Sequence, residues 1–251
     1  MNTTLAALIV FACLIGAVLL GRILRRLLPE EHLTADSRDT IKLAMGLVAT
    51  MSALVLGLLV SSAKGSYDTE RSEVIQMAAK VAFLDRVLSI YGPEAVEARA
   101  RFQEAVRAAI GQMWPDQASR PGKLGSNMQA GNAVYAAVQD LSPHDDTQRK
   151  LKDEATTVAT DLGQLRSLLV AQSVPSISTP MLIILVSWLV VIFPGFSVLA
   201  PPNATTILAL MISALAVSGA ILLILELDQP FNGLIRISSE PMVNALHQIE
   251  K

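Results

Sequence analysis

The sequence predicts an all-α, polytopic membrane protein, with four transmembrane helices and a helical water-facing bundle between the second and third. Three observations predict it. Of the 251 residues 52% are hydrophobic and the mean hydropathy is +0.47, more than a soluble globule of this size needs for its core. Four uncharged or nearly uncharged stretches reach the roughly 20 residues that a bilayer-crossing helix requires. From Lys64 to about Val174, by contrast, no stretch is apolar enough to cross, and basic and acidic residues alternate in near-equal number.

The first span is built on Leu5–Leu20, extended by Thr3, Thr4 and Gly21. A cleaved signal peptide carries its positive charge before the apolar core, whereas here Arg22, Arg25 and Arg26 follow it, so the stretch reads as an uncleaved first span. Ile41–Ala63 is the second, with Lys42 at its edge, where a long side chain reaches back to the headgroups. The third runs from about Met181 to Leu199 and the fourth from about Ala204 to Leu225. Ala200-Pro201-Pro202-Asn203 between them is short enough to force an antiparallel hairpin. Pro194-Gly195 is expected to kink the third span. Arg22, Arg25, Arg26 and Arg38 fill the first short loop, and the positive-inside rule then places both termini outside.

The organisation that follows is residues 1–63 as spans 1 and 2 with a basic loop, 64–174 as a helical bundle, 175–228 as spans 3 and 4, and 229–251 as a C-terminal tail. Val74, Met77, Ala78, Val81, Leu84, Leu88 and Tyr91 step by three and four. The second span is therefore expected to continue as one amphipathic helix until Gly92-Pro93 stops it. Pro93–Met113 is a second helix, ended by Trp114-Pro115 and followed by a loop over Ser119–Gly125. Leu151, Ala155, Val158, Leu162, Leu165 and Leu169 form a packing seam over about three heptads. Its helix is expected to start with Ser142 as cap, Pro143 in the first turn and Asp145 as the answering acid.

Chemistry-bearing patterns are few. The three histidines, His32, His144 and His247, have no second ligand at metal-binding spacing, and His144-Asp145-Asp146 is better read as part of a helix start than as a metal site. Phosphate-loop, dinucleotide, nucleophile-elbow and zinc-protease motifs are absent, so neither an enzyme nor a cofactor is expected. With Lys and Arg at 20 against 22 Asp and Glu, and no basic run, nucleic acid is not an expected partner; the bilayer is. Cys13 is the single cysteine, which rules out a disulfide within the chain.

Function is expected in the second span. Gly46, Thr50, Ala53, Gly57 and Ser61 recur at steps of three and four, opposite a heavy face of Leu47, Met51, Leu54, Val55 and Leu58. Such a stripe serves close helix packing, a pore wall, or both in a symmetric homo-oligomer. At the end of the fourth span, Glu226 and Asp228 are expected to lie in the membrane interface rather than to coordinate an ion. Arg236 or Arg166 would be the nearest useful cation, Pro230 stops the helix, and Asn232-Gly233 makes a turn.

The stretches LELDQPFNGLIRIS (Leu225–Ser238), KLAMGLVATMSALVLGLLVSSAKGSYD (Lys42–Asp68) and LRRLLPEEHL resemble the bacterial domain of unknown function numbered 4239, described as bestrophin-like. Glu226, Asp228, Pro230, Phe231 and Gly233 carry the most specific part of that resemblance. It implies an oligomeric ion channel of the bacterial inner membrane, a pentamer in bestrophins, with inorganic ions as partners, the second span lining the pore and its extension Lys64–Tyr91 forming a vestibule. The second span has no Phe, Tyr or Trp, so no residue matches an aromatic constriction. The resemblance also implies cytoplasmic termini, opposite to the short-loop charge reading. A non-conducting membrane sensor or scaffold, docking a partner through the Leu151–Leu169 seam, is the alternative.

Overall fold

A computed structural model of the chain describes residues 2–29, 34–114, 128–172, 177, 179–201, 203–231 and 233–250, with the side chains of 128–130 excepted. His32, Pro115, the loop over Ser119–Gly125, Pro202 and Asn232 lie outside the described residues. The α-helices among them are, in order, α1 Thr3–Leu27, α2 Ala35–Tyr91, α3 Val96–Met113, α4 Met128–Gln139, α5 Asp146–Gln172, α6 Thr179–Leu199, α7 Ala204–Leu227 and α8 Glu240–Ile249. Four of them, α1, α2, α6 and α7, are long and apolar enough to cross a membrane. Contacts divide the chain into one unit of residues 1–66 and 175–228 and another of 67–174 and 229–251.

In the first unit, the helix directions follow from which residues meet. Ser197 Oγ donates to the Val18 carbonyl at 2.8 Å, Gly21 faces Pro194 and Ser197, and the Arg25 guanidinium donates to the Ala200 carbonyl, so α1 and α6 run parallel. Thr3, at the start of α1, meets Glu226 near the end of α7, so these two are antiparallel. Met45, early in α2, lies against Gly195, late in α6. The Arg25 to Ala200 contact brings the ends of α1 and α6 together.

Two boundaries differ from the sequence reading. Helix α1 runs on to Leu27 and α2 starts at Ala35, so Arg22, Arg25, Arg26 and Arg38 sit on helix ends rather than in a loop. A helix once nucleated adds one hydrogen bond per residue, and arginines near a C-terminus favour the macrodipole. Lys42 Nζ reaches Asp39 at 3.0 Å, one turn back toward the helix start. Helix α6 carries Pro194 without interruption.

The second unit packs around one apolar core. Val74, Met77, Val81, Leu84 and Leu88 of α2 supply one face, met by Phe102 and Val106 of α3, Val138 of α4 and Ala155, Val158 and Leu169 of α5. Leu151, Leu162 and Leu165 pack against the same core, so the whole α5 seam is used within the unit. Helix α2 spans 57 residues, about three times what a bilayer crossing needs, and contributes to both units. Asp85, buried in this core, accepts from Arg99 Nε at 2.9 Å and from Nη2 at 2.8 Å. This two-pronged hydrogen bond keeps the guanidinium pKa above its ordinary value.

Two helices were not expected. Helix α4 follows the loop region, and α8 lies in what reads from sequence as a tail. Met242, Ala245, Leu246 and Ile249 of α8 step by three, one and three and are buried in the core. Polar contacts fix its far end, where Gln103 Nε2 donates to the Ile249 carbonyl and Arg107 meets Glu250, both at 2.5 Å. The start of α5 corrects the expected cap. Asp145, not Ser142, accepts from Gln148 N at 2.7 Å, and Gln148 Oε1 accepts in return from His144 N at 2.8 Å. The reciprocal pair of bonds through Gln148 satisfies two amides at the helix start, and a carboxylate at the cap also favours the helix dipole. Asp145→Ala is expected to cost about 1 kcal/mol of local stability. Faster amide exchange over the first turn of α5, residues 146–149, would register it.

Candidate functional site

In the second span, hydropathy cannot show which side of an all-apolar helix meets protein, because every side is compatible with burial. Met45, Ser52, Leu59 and Ala63, separated by steps of seven, seven and four, are the buried residues of this span. They form a packing face. The stripe Gly46, Thr50, Ala53, Gly57 and Ser61 is exposed along its whole length, and a Cβ added at Gly46 or Gly57 would meet nothing within 4 Å. Leu47, Met51, Leu54 and Leu58 on the heavy side are exposed too, with Val55 half-buried. The helix therefore has three faces: one holds it in the unit, one is small and open, and one is greasy and open.

Polar groups on the span mostly turn back on the helix. Thr50 Oγ1 donates to the Leu47 carbonyl and Ser52 Oγ to the Val48 carbonyl, both at 2.8 Å. These hydroxyls satisfy themselves locally, as they must in an apolar surround. What the open stripe offers is space next to backbone rather than a ring of charge.

The packing face meets α6 at a close approach. A Cβ on Gly195 would collide with the Met45 sulfur, and a Cβ on Gly21 would lie 2.5 Å from the Pro194 carbonyl oxygen and 2.8 Å from Ser197 Cβ. The Pro194-Gly195 pair, legible in the sequence only as a kink signal, thus faces Gly21 of α1 and Met45 of α2.

The motif at the end of α7 has several roles. Glu226 is 2% exposed, and Thr3 Oγ1 donates to its carboxylate, so protein rather than headgroup water surrounds it. Asp228 caps α7 and its Oδ1 accepts from Ile177 N at 3.2 Å. The cations expected beside them are engaged elsewhere: Arg236 Nε donates to the Gly233 carbonyl at 2.8 Å and Arg166 Nη2 to Gln112 at 3.3 Å. Pro230 and Phe231 are buried in the other unit, where the Phe231 ring stands edge-on to Trp114 with centroids 5.9 Å apart. Trp114 Nε1 in turn donates to the Ile237 carbonyl, and Ile237 N to the Pro230 carbonyl, both at 2.8 Å, closing a compact corner. Gly233 has φ +132°, a conformation open to glycine and costly for any other residue. The sequence singled out the motif; its division between a buried carboxylate, a helix cap and an aromatic corner depends on partners far away along the chain.

Comparison with the curated proteins and with the solved structures gives no match. A family profile described as a bestrophin-like domain matches residues 6–242, nearly the whole chain, and includes all four apolar helices and the α7 motif. With these helices and that match, the chain is a multi-pass membrane protein and belongs to the bestrophin-like family.

Proposed function

We propose that the protein is an oligomeric ion channel of the bacterial inner membrane in which α2 lines the pore. Five copies, the number implied by the resemblance to bestrophins, would turn Gly46, Thr50, Ala53, Gly57 and Ser61 toward a common axis. The observation that carries this reading is the exposure of the whole stripe while a different face of α2 holds the helix in its unit. Small side chains at an axis leave room for water and inorganic ions and allow backbones to approach. The greasy side of α2, with Leu47, Leu54 and Leu58, would meet lipid or a neighbouring copy.

The sensor or scaffold alternative needs the Leu151–Leu169 seam as a docking face, and that seam packs into the core of its own unit. Flux separates the two readings. Purified protein in liposomes is expected to pass small inorganic ions above the rate of empty liposomes. Flux no greater than in empty liposomes, across trials of voltage, pH and divalent ions, would exclude conduction.

A further inference from the structure

Helices α2, α3, α4, α5 and α8 enclose a cleft of about 1100 Å³, slightly above the range of about 300–1,000 Å³ usual for small-ligand sites. Its walls are mostly carbon, supplied by Met77, Val81, Phe102, Val106, Leu162 and Met242, and among the described residues no carboxylate lines it. One cation does. Arg166 is half-buried at this wall, and among the described residues its guanidinium meets only the neutral side chain of Gln112, at 3.3 Å. A guanidinium fork at an apolar wall matches a carboxylate in two parallel hydrogen bonds. An apolar cleft whose described lining carries one positive charge and no negative one is complementary to a long chain ending in a single carboxylate.

We propose that this cleft binds a long-chain fatty acid, its carboxylate on Arg166 and its alkyl chain among the apolar residues of α2 and α3. The charge count favours this occupant, since one guanidinium balances one carboxylate. A peptide would bring backbone N–H and C=O groups that carbon walls leave unsatisfied. The site is separate from the α2 stripe, and the proposal holds whether or not the protein conducts.

The test uses the full-length protein in lipid nanodiscs with palmitic acid carrying a photoreactive diazirine in its chain, and cross-linked peptides are identified by mass spectrometry. Labelling is expected on the cleft residues of α2 and α3, and Arg166→Gln should lower its yield about tenfold, one lost charge-assisted hydrogen-bonded pair. Arg166→Lys keeps the charge and should retain most of the labelling. A second variant guards against misfolding: Gly163 lines the cleft, and a Cβ there would meet nothing within 4 Å, so Gly163→Leu starts from an open position, narrows the space and should also reduce labelling. The corresponding photoreactive alcohol should label the wild type no better than the acid labels Arg166→Gln. Equal yields in wild type and Arg166→Gln, or label confined to α1, α6 and α7, would overturn the proposal. So would cleft residues that are protected from exchange without fatty acid and never labelled, since protein would then already fill the space.

Discussion

Gly21→Val is expected to lower stability by about 3 kcal/mol, the upper end of the overpacking range, because the added carbon lands on backbone. Any Cβ at position 21 lies 2.5 Å from the Pro194 carbonyl oxygen and 2.8 Å from Pro194 Cα. Neither atom can move aside as the end of a flexible side chain can. The two helices must separate, which also disturbs the Ser197 to Val18 hydrogen bond and the Arg25 to Ala200 contact on either side. For a chain of this length the loss corresponds to a fall in Tm of roughly 6–12 °C in detergent. Gly16→Ala, on the same helix with nothing within 4 Å of its Cβ, serves as the control and should leave Tm unchanged or slightly raised. Equal behaviour of the two variants would mean that α1 and α6 do not pack through Gly21.

Gly57→Leu should separate folding from function. A Cβ there meets nothing within 4 Å in the single chain, and leucine replaces a glycine, a poor helix former, so the fold and Tm should be retained. In a ring of copies the same side chain enters from every subunit at once. Ion flux in liposomes should then fall on the order of tenfold or more, as expected of a hydrophobic constriction that excludes water. A leucine added where α2 faces lipid would leave flux unchanged, which is the result that tells against an axial stripe.

The four apolar helices were legible because a bilayer imposes length and composition together, and few other arrangements produce uncharged stretches like Leu5–Leu20. The amphipathic part of α2 was equally plain, since Val74, Met77, Val81, Leu84, Leu88 and Tyr91 recur at steps of three and four and are buried together. Helix α8 carried a readable signal in Met242, Ala245, Leu246 and Ile249, but at 10 residues it is too short for local pattern to outweigh its position after a turn. The cap of α5 was misplaced because Ser142 and Asp145 both suit a cap by residue type, and the reciprocal bonds of Gln148 with Asp145 and His144 decide between them. At the candidate site, the small stripe could be read from spacing alone. The face with which α2 packs could not, because Met45, Ser52, Leu59 and Ala63 differ little in hydropathy from their neighbours. Nor could the burial of Glu226, whose partner Thr3 lies at the other end of the chain.

The central claim, that the Gly46–Ser61 face of α2 borders an ion pathway between copies of the chain, is tested most directly by thiol block of single-cysteine variants. In a Cys13→Ser background, Thr50→Cys, Gly57→Cys and Ser61→Cys would be compared with Leu47→Cys, Leu54→Cys and Leu58→Cys in conducting liposomes. A charged, water-soluble thiol reagent should block flux through the first three and leave the second three untouched. Block at the leucine positions with none at the stripe, or reaction at neither, would contradict it.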